Sequence, residues 1–160
     1  MERYEKIVSN TIFMEHIQKI DRLEKDRIYC RHNSGHLMDV ARIAMLINLD
    51  EEYNISKDLI YASALLHDIG RDIEYEEGIS HEIASADIAP EILTATSYTE
   101  DEIDIIVKSI INHRNPDIKM ERSLTGLLYR ADKLSRACYL CNAYDKCHKA
   151  IDKRNEVPVW

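Results

Sequence analysis

Glycine and proline are scarce in this chain, four and three among 160 residues. An all-β fold turns its strands largely on those two residue types, so their shortage argues against a sandwich or barrel and favours helices. Basic charge is short as well: 21 Lys and Arg face 29 Asp and Glu, a formal net charge of −8. That balance argues against DNA, RNA or an anionic membrane surface as partners. A small phosphate ester stays open, because a metal site supplies its own local positive charge. No apolar run approaches the ~20 residues that cross a bilayer, and the opening Met1-Glu2-Arg3-Tyr4-Glu5 lacks a signal-peptide pattern. A cytoplasmic protein is expected. The chain has only four cysteines, which in that compartment serve as thiols or ligands rather than disulfides. What remains is 45% hydrophobic and 31% charged, enough for one domain spanning 1–160 with a real core.

Apolar spacing predicts an all-α bundle of about six helices. Residues 2–26 read as one amphipathic helix carrying Tyr4, Ile7, Val8, Met14, Ile17, Ile20 and Leu23, with His16 as a plain rim histidine. A polar turn at Arg31-His32-Asn33-Ser34-Gly35 opens a second helix to about Leu49, its core stripe Leu37, Val40, Ala41, Ala44, Met45 and Leu46. Ser56 is a candidate N-cap for a third helix ending at His67-Asp68, where Gly70 suits a left-handed turn. Arg71 to Gly78 reads as a charged loop. Ser80 caps a fourth helix whose small residues Ala84, Ser85, Ala86 and Ala89 permit a close neighbour, and Pro90 perturbs or ends it. Thr99 to Glu102 is a capping box for a fifth helix ending near His113. A final helix from Ser123 carries Asp132 near its apolar face.

His36, His67, Asp68, His81 and His113 all fall at helix ends, and Asp132 is an acid within an apolar helix. An acid beside an imidazole at the rim of a hydrophobic helix is costly unless something binds the pair. Four imidazoles and two carboxylates suffice for two divalent ions with one carboxylate shared. Such a pair suits hydrolysis: it acidifies a water, polarises a phosphoryl oxygen and clamps an in-line displacement.

The order of these residues resembles the HD-domain superfamily. The resemblance rests on His36 in SGHLMDVARIA, on His67-Asp68 in ALLHDIGR and on Asp132 in LLYRADKLSR. His81 in ISHEIASADIA and His113 in IINHR are similar to the additional histidines of the dinuclear branches. The similarity covers about residues 30–136, as an HD core between the N-terminal helix and a cysteine-bearing segment, 137–160. It implies a helical, metal-dependent phosphohydrolase. His36, His67, Asp68 and Asp132 would then bind one ion and His81 and His113 a second, with Asp68 shared and a bridging water as nucleophile. Arg71 stands where many relatives carry Lys. Either cation meets a phosphate, and Arg does so with two parallel hydrogen bonds. Arg114 and Lys133, next to proposed ligands, are further phosphate-binding candidates.

Within that superfamily the chain looks most like small dinuclear bacterial members, one branch of which hydrolyses diadenosine tetraphosphate. It lacks the GYP-type extension of cyclic-dinucleotide phosphodiesterases and the long insertions of guanosine-tetraphosphate hydrolases. The resemblance therefore implies a nucleotide or another small phosphate ester as substrate. The same ligand order also serves mixed-valent di-iron oxygenases, and a non-catalytic nucleotide sensor is a third reading. Iron, manganese, zinc, cobalt and nickel all suit such a ligand set, and the N-terminal helix allows a homodimer.

Cys138, Cys141 and Cys147 form C-x2-C-x5-C, followed by His148. Cys30 lies six residues before His36 and Cys138 six after Asp132, within ~9 Å of axial rise if each segment is helical. The four thiols form a candidate second metal site, for zinc or an iron–sulfur cluster. The alternative is reduced cysteines packing as small hydrophobes.

Overall fold

Asn10 decides how the chain begins. Its side chain accepts from the Ile12 and Phe13 amides at 2.9 and 3.3 Å, capping a new helix. In this computed structural model, which describes residues 2–158, the expected single helix over 2–26 is therefore two: α1 (Arg3–Ile7) and α2 (Thr11–Leu23). Met1, Val159 and Trp160, part of the expected domain, lie outside the described residues. The break sets a new register. Phe13, Ile17 and Ile20 are buried, whereas Val8, Met14 and Leu23 face solvent.

The remaining helices are α3 (Ser34–Asp50), α4 (Lys57–Leu66), α5 (Arg71–Glu77), α6 (His81–Ala95), α7 (Glu100–Asn112) and α8 (Leu124–Leu134). Among the described residues there are eight α-helices, short 3-10 turns and no strand. The all-α expectation holds with two more helices than expected. One comes from the break at Asn10 and the other is α5, where a charged loop was expected. α5 is held by an Arg71–Glu74 pair one turn apart (3.0 Å) and ends on Gly78, whose φ of 76° and amide bond to the Glu74 carbonyl form a left-handed cap. Pro90 does not end α6, which continues to Ala95. The burial of Ala89, Ile92 and Leu93 holds the helix through the missing donor. The capping box at Thr99 and Glu102 forms as expected.

α3 packs on α4 and α8, and α7 on α4, α6 and α8; α5 lies against α6, α1 against α4 and α2 against α5. Leu37, Ile47, Leu66, Ile92, Ile110 and Leu127 share one core with residues from every other helix except α5. No helix of the described residues is long and apolar enough to cross a membrane.

Arg3 fastens α1 to that frame. Its guanidinium donates to both Glu102 carboxylate oxygens at 2.6 and 2.8 Å, and to Asp58 at 2.9 Å. Hydrogen bonding from Arg3 holds the Glu102 carboxyl down at about 2. A depressed carboxyl contributes stability above its unfolded value and loses it as pH falls through the folded one. Arg3→Ala is expected to cost about 1 kcal/mol at neutral pH, discounted for partial exposure. Its melting-temperature deficit against the parent should shrink as pH falls from near 4.5 toward 2.

Candidate metal centre

The end of α4 delivers the centre. Leu65, Leu66 and Ile69 are buried, which carries His67 and Asp68 into the interior at 0% and 2% exposure. Gly70 follows with φ −85°, so it is not in the left-handed region that the sequence suggested. Its role is close approach: a Cβ there would lie 2.5 Å from the Ser85 amide nitrogen and 2.6 Å from the Ala84 Cβ. The Gly70 amide instead donates to Ser85 Oγ at 2.9 Å. α6 thereby sits directly against the turn, with His81 in its first turn.

All six proposed ligands converge. Asp68 Oδ2 lies 3.5 Å from His36 Nε2 and 3.3 Å from His67 Nε2, and its Oδ1 lies 3.2 Å from His81 Nε2 and 3.7 Å from His113 Nε2. His36 Nε2 is also 3.5 Å from Asp132 Oδ1. Two groups with ligand atoms within 4.8 Å of one another result: His36, His67 and Asp132, and Asp68, His81 and His113. The two oxygens of Asp68 face one group each.

The far nitrogen of each ring fixes its tautomer. His67 Nδ1 donates to the Ala64 carbonyl (2.7 Å) and His113 Nδ1 to the Ile110 carbonyl (2.6 Å), the same bond three residues back at two helix ends. His81 Nδ1 donates to Glu74 (2.9 Å), and His36 Nδ1 faces Ser135 Oγ at 3.5 Å. With Nδ1 protonated, the Nε2 lone pairs all point inward. Outer partners of this kind orient metal-binding imidazoles.

Those lone pairs could hold a cation. Among the described residues His36 Nε2 and His67 Nε2 are buried without a hydrogen-bond partner, and His81 Nε2 and His113 Nε2 face each other at 3.2 Å. Burial pushes His113 down to about 3 and also lowers His81. Both are thus neutral and ligand-competent near neutral pH. Burial opposes ionisation of Asp68, yet neighbouring positive charge, that of Arg71 included, holds its carboxyl well below the carboxylate range. Asp132 is likewise depressed: burial opposes it, and Lys133 and Arg136 outweigh the burial. Nitrogen and oxygen donors in this arrangement fit divalent ions.

The phosphate-binding candidates differ in placement. Arg71 Nε is 3.2 Å from Asp68 Oδ1, directly beside the centre. Lys133 bonds Asp132. Arg114 is half exposed and pairs with Glu82 at 3.3 Å. All three line a cleft of about 660 Å³ above the centre. The four cysteines line the same cleft, and none joins a group of three ligand atoms within 4.8 Å among the described residues.

Two supporting acids escaped the sequence reading. Glu74, which orients His81 and Arg71, lies in the helix taken for a loop. Glu24 is 3% exposed and accepts from the His32 ring and amide, both at 2.6 Å, and from the Tyr75 hydroxyl at 2.5 Å. The His32 ring stands edge-on to His36 at 5.6 Å. The spacing Phe13, Ile17, Ile20, Glu24 puts this acid on the buried stripe of α2, a signal that was available. His16 is the rim histidine expected, bound to buried Asp72 at 2.8 Å.

A helical bundle whose interior presents two clusters of His and Asp around one shared carboxylate defines a class of metal-binding helical proteins. The family model for the HD domain matches residues 33–137. The chain belongs to the HD-domain family. It is 44% identical over 155 residues, 97% of each chain, to a protein of Clostridium beijerinckii described only as uncharacterized. It is 29% identical over 126 residues to ribonuclease Y of Mycoplasma mycoides and 28% over 130 to that of Listeria monocytogenes. These matches cover 79% and 80% of this chain but 27% and 22% of those enzymes, so the chain spans about a quarter of their length. No solved structure matches the chain.

Proposed function

We propose that this protein is a metal-dependent phosphohydrolase acting on a small phosphate ester, a nucleotide or dinucleotide. The observation that carries the reading is Asp68, whose two oxygens face two separate clusters of inward lone pairs. His36, His67 and Asp132 would hold one divalent ion and His81 and His113 the other, with Asp68 shared. Ions held there supply Lewis-acid polarisation of a phosphoryl oxygen and a water acidified toward neutrality.

The residues of the chain do the rest. Neighbouring positive charge favours the ionised form of Asp68 against the cost of its burial. Arg71, anchored by Glu74, presents its guanidinium beside the centre, placed to take a phosphate oxygen. Arg27, Arg31, Arg114, Lys133 and Arg136 also line the cleft, a local basic wall on a chain of net charge −8. Such a wall attracts a compact polyphosphate, while the surrounding negative charge disfavours a long nucleic acid. The free thiols fit a reducing, cytoplasmic compartment.

The test is a panel of nucleotides, dinucleoside polyphosphates and simple phosphate esters, with a single-stranded RNA oligonucleotide alongside, offered to the protein loaded with iron, manganese, cobalt, nickel or zinc. Release of phosphate or nucleotide from a small substrate is expected, with Arg71→Ala losing on the order of 10²-fold in kcat/KM. Turnover of RNA alone, oxygen uptake in place of hydrolysis, or tight nucleotide binding without turnover would each overturn the reading.

A further inference from the structure

The segment after α8 is tied to that helix by polar contacts, Asn155 Nδ2 donating to the Lys133 and Arg136 carbonyls at 2.8 Å, but has little apolar burial to hold it together. Beyond residue 137 only Cys138 and Ala143 are buried among the described residues, while Leu140, Ile151 and Val157 are 75%, 66% and 64% exposed. Its structure is three short 3-10 turns: Cys138–Leu140, Tyr144–Lys146 and Ile151–Lys153. A unit of about twenty residues without an apolar core requires a staple. The segment nonetheless takes a defined path. Cys141 donates its amide to Cys138 O, Tyr144 to Cys141 O and Cys147 to Tyr144 O, at 3.0 to 3.1 Å. These successive turns coil the C-x2-C-x5-C run back on itself.

Cys30 comes to the same place from the other side of the domain. Arg27 Nε donates to Cys30 O at 2.8 Å. The neighbouring Tyr29 donates its hydroxyl to Lys146 O at 3.3 Å and stands edge-on to His148 at 5.4 Å. All four cysteines line one cleft, and all four lie outside residues 33–137, the extent of the family match. The chemistry of the family therefore does not account for them. Cations crowd the spot. Among the described residues Arg154 donates only to the Tyr144, Cys147 and Lys149 carbonyls, and Arg31 only to Arg27 and Lys25 carbonyls, so neither charge meets a carboxylate there.

We propose that Cys30, Cys138, Cys141 and Cys147 bind an iron–sulfur cluster that staples the C-terminal segment to the wall of the cleft. A single zinc ion sets four sulfurs only ~3.8 Å apart, given a ~2.3 Å Zn–S bond in a tetrahedron. No three of these sulfurs lie within 4.8 Å of one another. A cubane cluster requires no such close set, because each thiolate binds a different iron. The site stands independently of the phosphohydrolase reading, since its ligands are not those of the centre at Asp68.

The test uses the full chain, purified without oxygen and reconstituted with equal amounts of ferrous and ferric iron together with sulfide, the balance a cubane of two ferric and two ferrous ions requires. The expected result is a broad visible absorption and about four acid-labile sulfides per chain. Both should be lost in Cys141→Ser and in Cys30→Ser, while metal bound at the His/Asp centre is retained. Should either variant fold poorly, thiol alkylation of the parent replaces it: the four cysteines are expected to resist labelling until a chelator is added. Sulfide content unchanged by the substitutions, free labelling before chelation, or zinc bound by the cysteines with no sulfide would each overturn the cluster.

Discussion

Asp68→Ala is expected to abolish turnover and to lower bound metal while leaving helicity intact. Asp68 is the residue whose oxygens reach both clusters, at 3.3 and 3.5 Å on one side and 3.2 and 3.7 Å on the other. Removing it separates His36, His67 and Asp132 from His81 and His113. Losing several kcal/mol of transition-state charge stabilisation corresponds to a fall in rate of roughly 10³-fold or more. Metal analysis should show the second ion affected most, because without Asp68 that cluster keeps only two imidazoles. The core does not depend on the carboxylate, so the helical circular dichroism should match the parent. Phosphatase activity within tenfold of the parent in a fully folded variant would contradict the assignment.

Gly70→Ala is expected to destabilise the protein by about 1–3 kcal/mol, the range of an overpacked site. The added methyl would meet backbone, Ser85 N at 2.5 Å and the Ala84 carbonyl carbon at 2.8 Å, rather than the end of a flexible side chain. α6 must therefore move away from the turn that bears His67 and Asp68. His81, at the start of α6, moves with it and its 3.2 Å approach to Asp68 opens. Melting temperature should fall, and the ion at His81 and His113 should be lost at metal concentrations that still fill the other position. An unchanged melting temperature with both ions retained would show that α6 does not depend on this contact.

The six candidate ligands were legible because their signal is local: each acid or imidazole is out of place on or beside an apolar helix, and their order carries a family resemblance. The residues that orient them were not. Glu74 acts through α5, a seven-residue helix so acidic (Asp72, Glu74, Glu76, Glu77) that charge hid its one structural mark, the left-handed cap at Gly78. Glu24 and His32 meet across a chain reversal, and no periodicity announces such a contact, although the place of Glu24 on the buried stripe hinted at it. Gly70 was read as a backbone requirement and proves to be a spatial one, visible only once Ser85 and Ala84 stand opposite it. The break at Asn10 and the passage of α6 through Pro90 show opposite outcomes of one competition. A good cap overrode an unbroken apolar pattern in the first, and packing overrode a helix breaker in the second.

The most direct test of the account is anomalous diffraction from crystals of the manganese-loaded protein. Two peaks ~3.5–4 Å apart are expected, one among His36, His67 and Asp132 and the other beside His81 and His113, with the Asp68 carboxylate between them. A single peak, or manganese bound away from Asp68, would contradict it.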